Sequence, residues 1–154
     1  MDNKWIDLTG KVVIVTGGSM GIGEAITADL KSCGAKVAIF DMADPKPEAL
    51  DENTMYVKLD IRKKAEVEAA VAQVVEKFGT IDALVNNAGV TRPRILVDYY
   101  KECPQYELSE DDFDFLVGIN EKGTFLVAQA VTRVMLEKHS GVIVNMSSEA
   151  GLRG

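Results

Sequence analysis

The sequence predicts an α/β protein built on a doubly wound parallel sheet, and two observations carry that prediction. Short β-branched runs closed by glycine or aspartate alternate with segments of helical periodicity, the pattern of successive βαβ units. The polar residues Thr16, Asp41, Asp60, Asn86 and Ser147 all fall at the C-terminal ends of those runs, where such sheets bind ligands. A length of 154 residues suits one domain with a sizeable core.

The first run, Lys11 to Thr16 (KVVIVT), reads as a strand buried on both faces. A helix is expected from Gly23, with Ala25, Ile26, Ala28, Leu30 and Cys33 as its apolar stripe and Gly34 as its stop. Lys36 to Phe40 (KVAIF) is the second strand, and the segment from Asp41 to Asn53, with Pro45 and Pro47, is loop or at most a weak helix. Met55 to Leu59 makes the third strand, ending at Asp60. Lys63 to Phe78 is a helix with Val67, Ala70, Val71, Val74 and Val75 on one side, closed by Gly79.

Ile81 to Val85 is the fourth strand and Asn86 to Gly89 (NNAG) its turn. Thr91 to Leu108 has no clean period, carries Pro93 and Pro104, and reads as an irregular excursion bordering a binding site. Ser109 opens S-E-D-D, a capping-box pattern with Asp112 in place of Glu or Gln. Helical spacing then runs from about Asp111 to Lys138, with a bend expected between Gly118 and Gly123, and GVIVNMS supplies a fifth strand.

Composition excludes several classes of function. The formal charge of −7 argues against nucleic acid as a partner, because a polyanion is held by Lys and Arg. Cys33 and Cys103 lack metal-ligand spacing and His139 is the single histidine, so no metal site is expected and both thiols read as free. The N-terminus has no apolar signal core, and no run approaches the roughly 18 apolar residues of a membrane span. A cytoplasmic protein is the plain expectation.

TGGSMGIG, Thr16 to Gly23, lies between the first strand and the first helix, the context a phosphate-binding turn requires. Gly17 permits the tight turn, Gly21 lets the backbone approach a pyrophosphate, and Gly23 lets helix and strand pack closely. Ser19, Met20 and Ile22 fill the remaining cofactor-facing positions of the turn, and none is basic. Asp41, eighteen residues after Gly23 with Met42 beside it, can accept hydrogen bonds from an adenosine ribose and repels a 2'-phosphate. NAD is therefore favoured over NADP.

The ordered set of Thr16 to Gly23, Asp60, Asn86 to Gly89, Asn120, and Ser148 to Gly151 resembles the short-chain dehydrogenase/reductase family over nearly the whole chain. The resemblance implies a Rossmann-like sheet in the order 3-2-1-4-5, with later strands absent from this sequence. It also implies that Asp60 touches the adenine with Ile61 beside it, and that Asn87, Ala88 and Gly89 line the cofactor and steady the central strands. Asn120 would sit in an interrupted helix and help hold a proton-relay water, and Ser148, rather than Ser147, would bond the substrate oxygen. Members commonly form dimers or tetramers through the helix matching Glu121 to Lys138.

The family's chemistry is hydride transfer between nicotinamide and a carbinol or carbonyl carbon, with proton transfer by a tyrosine whose pKa a lysine depresses. That Tyr-x-x-x-Lys pair is expected after the serine and is not in this sequence; Tyr56, Tyr99, Tyr100 and Tyr106 all precede Ser148 and none has a lysine four residues on. The expectation is thus a single NAD(P)-binding domain over 1–154, C-terminally incomplete and inactive by itself. The parent enzyme would be an NAD-dependent oxidoreductase of a small sugar, polyol or keto compound, and a homodimer or homotetramer. The alternative is a non-catalytic dinucleotide-binding or interaction module.

Overall fold

The computed structural model describes residues 6–149, so Gly151 lies outside the described residues. Five strands, β1 (Val12–Thr16), β2 (Lys36–Asp41), β3 (Thr54–Lys58), β4 (Ala83–Asn86) and β5 (Val142–Asn145), form one sheet in the order β3-β2-β1-β4-β5. All four pairings are parallel. The expected order is therefore the order found. Helices α1 (Gly21–Ser32), α2 (Lys64–Phe78), α3 (Glu110–Val117) and α4 (Thr124–Glu137) make the crossovers.

Alternation along β1 divides the core. Val12 and Ile14 join the cluster formed with Val67, Val74, Val127 and Val131 of α2 and α4, while Val13 and Val15 join the cluster on the opposite face, against which Ile26 and Leu30 of α1 pack. A strand buried on both sides needs apolar side chains at odd and even positions alike. That is why β1 is continuously apolar.

Two sequence expectations are corrected in α1. The helix begins at Gly21, two residues before Gly23, and its buried positions are Gly23 and Thr27, with Ile26 and Leu30 half-buried, whereas Ala25 and Ala28 face solvent. The spacing Gly23, Ile26, Thr27, Leu30 is one helical face with a polar residue in its centre. Cys33 is the half-buried C-cap rather than part of the stripe, and both cysteines are free.

The bend expected between Gly118 and Gly123 is a π-helical turn over those same residues, joining α3 to α4. Ser109 caps α3 by accepting a hydrogen bond from the Asp112 N–H at 3.1 Å. The segment after Asp41, expected to be loop or at most a weak helix, carries a single 3₁₀ turn, Pro47–Ala49. β5 lies at the sheet edge with all four residues exposed, Val142 at 58%. Among the described residues, no helix is long and apolar enough to cross a membrane, and no group of three acidic, histidine or cysteine side chains is placed to hold a metal ion.

Candidate functional site

The C-terminal ends of β1, β2, β3 and β4 open onto one cleft of about 420 Å³. Its floor is the glycine turn, represented by Gly17, Met20, Ile22 and Gly23; Asp41 and Met42 form one wall, Asp60 and Ile61 the next, and Asn87, Ala88, Gly89 and Val90 the far side. Phe40, Leu59 and Ile119 complete the lining. Of the cofactor positions expected from the sequence, Ser19 and Gly21 fall outside the lining.

Ser19 and Gly21 shape the turn instead. The Ser19 N–H donates to Asp41 Oδ2 at 3.0 Å, and the other carboxylate oxygen accepts from the Ala43 N–H at 3.0 Å, so the acid after β2 is fixed against the glycine turn. Gly21 has φ +56°, and a Cβ built there meets no atom within 4 Å, which leaves space over the turn. The N-cap of α1, Met20, makes no side-chain capping bond, in contrast to Ser109 at α3. The orphan N–H groups of α1 and its positive dipole end are thus directed at the open side of the turn. The Ser19 hydroxyl is buried without a hydrogen-bond partner. These features fit a bound pyrophosphate.

Thr16 and Asn87 lock β1 to β4 beneath that turn. The Thr16 hydroxyl accepts from the N–H groups of Asn87 and Ala88, each at 3.0 Å, and the Asn87 amide donates to the carbonyls of Thr16 at 3.1 Å and Gly17 at 3.2 Å. Asn86 donates to Asn145 Oδ1 at 3.0 Å, tying β4 to β5 at the same level. The sequence marks Thr16 only as a strand end. Its role as a double acceptor appears when the neighbouring strand is in place.

Asp60 lines the cleft as expected, but its carboxylate is gripped by Arg62, with Nε at 2.9 and 3.0 Å and Nη2 at 2.6 Å. Arg62 is absent from the sequence-based set; the signal available was a basic residue two positions after the acid in D-I-R. The guanidinium beside Asp60 holds its carboxyl below the usual carboxylate range, against the opposing effect of burial. A depressed carboxylate pKa contributes stability above its unfolded value of about 4 and loses it as pH falls through the folded value. Arg62→Gln should therefore lower the melting temperature at pH 7 and shrink the difference between pH 7 and pH 3. An unchanged pH difference would show that the pair contributes nothing.

Asn120 lies in the π turn, as expected of an interrupted helix. Its side-chain amide makes two bonds to the backbone of Val90, donating to the carbonyl and accepting from the N–H, both at 2.9 Å. Thr124 donates its hydroxyl to the Asn120 carbonyl at 2.9 Å. The side chain thus fastens the segment after the NNAG turn to the helix. Ser148 is exposed and lies three residues beyond the end of β5, the strand neighbouring β4.

Comparison with known proteins agrees with this geometry. A family model described as short chain dehydrogenase matches residues 11–154. The chain is 43% identical over 152 residues to sorbitol-6-phosphate 2-dehydrogenase of Klebsiella pneumoniae, covering 99% of this chain and 57% of that protein. It is 41% identical to D-threitol dehydrogenase of Mycolicibacterium smegmatis, covering 93% of this chain and 54% of the relative. A solved structure of levodione reductase superposes with a TM-score of 0.80 at 32% identity, over 95% of this chain and 57% of that one. The chain therefore spans somewhat more than half the length of the relatives it matches.

Proposed function

The chain belongs to the short-chain dehydrogenase/reductase family, and we propose that the protein is an NAD-dependent oxidoreductase acting on a sugar alcohol or a related small hydroxyl or carbonyl compound. The observation that carries the reading is the 3.0 Å bond from the Ser19 N–H to Asp41, which brings a phosphate turn and a ribose-binding acid into one cleft. The bound nicotinamide supplies the hydride acceptor or donor. Everything else in the reaction is position and proton control.

A nicotinamide held there would take the hydride of a carbinol carbon or give one to a carbonyl carbon, and the hydroxyl proton would pass to or from a base. Gly17 and the α1 N–H groups would hold the pyrophosphate, Asp41 the adenosine ribose, and Asp60 with Ile61 the adenine edge. Asn120 fixes Val90 at the far side of the cleft, and Ser148 bonds the substrate oxygen. Tyr56 does not serve as the base: burial first, then the bond it donates to Asp44 at 3.0 Å, push its pKa up to about 12. The exclusion of a 2'-phosphate by Asp41 favours NAD, and the sugar-alcohol class follows the two relatives named for sorbitol 6-phosphate and threitol. Self-association through α4, where Phe125 and Leu136 are 58% and 63% exposed, and a cytoplasmic location belong to the same proposal.

The test is calorimetric titration with NAD and NADP, followed by NAD reduction with sorbitol 6-phosphate and threitol by protein from the complete gene. Ser148→Ala should lower kcat about a hundred-fold, the scale of losing one bond to a reacting oxygen, with NAD affinity unchanged. Binding without turnover of any sugar alcohol or ketose would instead favour a non-catalytic dinucleotide-binding module.

A further inference from the structure

Thr91-Arg92-Pro93-Arg94 leaves the cleft directly after Val90, the residue that Asn120 anchors. The two arginines converge on one carboxylate: Arg92 Nε lies 3.4 Å from Asp112 Oδ1 and Arg94 Nε 3.4 Å from Asp112 Oδ2. Arg92 is further held with its guanidinium 4.6 Å from the centre of the Phe115 ring and with Nη1 donating to the Thr91 carbonyl at 3.2 Å. Arg94 Nη1 donates to the Pro93 carbonyl at 3.1 Å. Both side chains are partly desolvated yet open to solvent, 40% and 28% exposed.

The arrangement carries a surplus of donors. Two guanidinium groups meet one carboxylate, so the three groups alone sum to one positive charge, while Glu110 and Asp111 stand beside Asp112 in the first turn of α3. Each guanidinium offers a planar fork of N–H groups, and two carboxylate oxygens cannot accept from all of them. A phosphate monoester has the complementary chemistry, because its dianionic oxygens accept bidentate bonds from such forks. The distance also fits: Arg92 is two residues beyond Val90, so its backbone is at most about 7 Å along the chain from the cleft wall. An extended sugar-alcohol phosphate with its reacting carbon in the cleft has a comparable reach.

We propose that Arg92 and Arg94, held convergent by Asp112 and Phe115, form the recognition site for a phosphate monoester on the substrate. This rests on the sugar-alcohol reading above and names the group that substrate carries. The site would lie outside the dinucleotide pocket, on the irregular excursion rather than on the glycine turn. It would give the enzyme preference for the phosphorylated substrate over the free sugar alcohol.

Phenylglyoxal labelling of guanidinium groups, read by peptide mass with NAD present, tests the site without requiring turnover. Sorbitol 6-phosphate at ten times its dissociation constant should slow labelling of Arg92 and Arg94 about ten-fold, and sorbitol at the same concentration should not. Equal protection by sorbitol, by inorganic phosphate, or by neither ligand overturns the proposal. The Arg92→Gln, Arg94→Gln double variant should also lower the ratio of kcat/KM for the ester to that for the free sugar alcohol by about ten-fold, one lost charge-assisted contact. Equal losses on both substrates would assign the arginines to the scaffold and overturn it. Protection without turnover would leave the anion site standing and remove the dehydrogenase reading, and turnover without protection would do the reverse.

Discussion

Gly23→Ala should cost this protein both its fold stability and its dinucleotide binding, whereas Gly21→Ala should remove mainly the binding. A Cβ at Gly23 would lie 2.0 Å from the Gly17 carbonyl oxygen and 2.6 Å from the Asn87 amide nitrogen. The first of these is backbone, and the second is the amide that bonds the carbonyls of Thr16 and Gly17, so neither can withdraw without breaking the lock between β1 and β4. Overpacking of this kind costs about 3 kcal/mol, which corresponds to a fall in melting temperature of roughly 6–12 °C for a domain of this size. At Gly21 the added methyl meets no atom within 4 Å and the strain is that of a non-glycine residue at φ +56°. That strain is about 1 kcal/mol, while the methyl enters the space over the turn and should weaken NAD at least ten-fold.

Thermal melts and calorimetry on the two variants separate the roles. If Gly21→Ala bound NAD as tightly as the unaltered protein, the open space over the turn would not be the pyrophosphate position. If Gly23→Ala melted normally, the close approach of α1 to β1 would be adjustable, and the three glycines of the turn would lose their division of labour.

The tight turn at Gly17 and the close packing at Gly23 were legible in the sequence because they depend on local spacing, strand then G-x-x-x-G-x-G then helix. The sheet was legible for a similar reason: strands buried on both faces announce themselves as continuous apolar runs. The buried face of α1 was not. Alanine has no strong preference between core and surface, so Ala25 and Ala28 completed an apparent stripe while Thr27, a polar residue that packs between Gly18 and the sheet, went unread. Contacts made across the fold were equally hidden. Asn120 stood out as an isolated amide in a glycine-flanked helix, but its partner is the backbone of Val90, thirty residues earlier.

The excursion shows the limit from the other side. Residues 91–108 lack periodicity because isolated backbone bonds and side-chain contacts, not a repeating backbone pattern, hold them in place. Ile95 and Glu107 form an isolated parallel bridge, Asp98 accepts from the Cys103 N–H at 2.6 Å, and the two arginines reach Asp112. Each of these bonds joins residues whose spacing follows no helical or strand rule. An unperiodic stretch is therefore readable as a place of interest before its geometry can be known.

Asp41 offers the sharpest test of cofactor choice, because its two roles can be separated by chemistry. Its carboxylate both braces the backbone, through Ser19 and Ala43, and presents negative charge where an adenosine ribose would lie. Asp41→Ala removes both and should weaken NAD about ten- to a hundred-fold, the worth of hydrogen bonds to a charged acceptor. NADP should weaken far less, since the charge opposing its 2'-phosphate disappears with the bonds. Asp41→Asn keeps one acceptor oxygen, turns an NH2 toward the other N–H and removes the charge, so it should melt below the unaltered protein while still narrowing the preference for NAD over NADP. Equal loss of both dinucleotides in Asp41→Ala, with no change of ratio in Asp41→Asn, would mean that Asp41 only braces the turn. A changed ratio in Asp41→Asn would place its charge at the ribose, because a bracing residue has no means of distinguishing two ligands that differ by one phosphate.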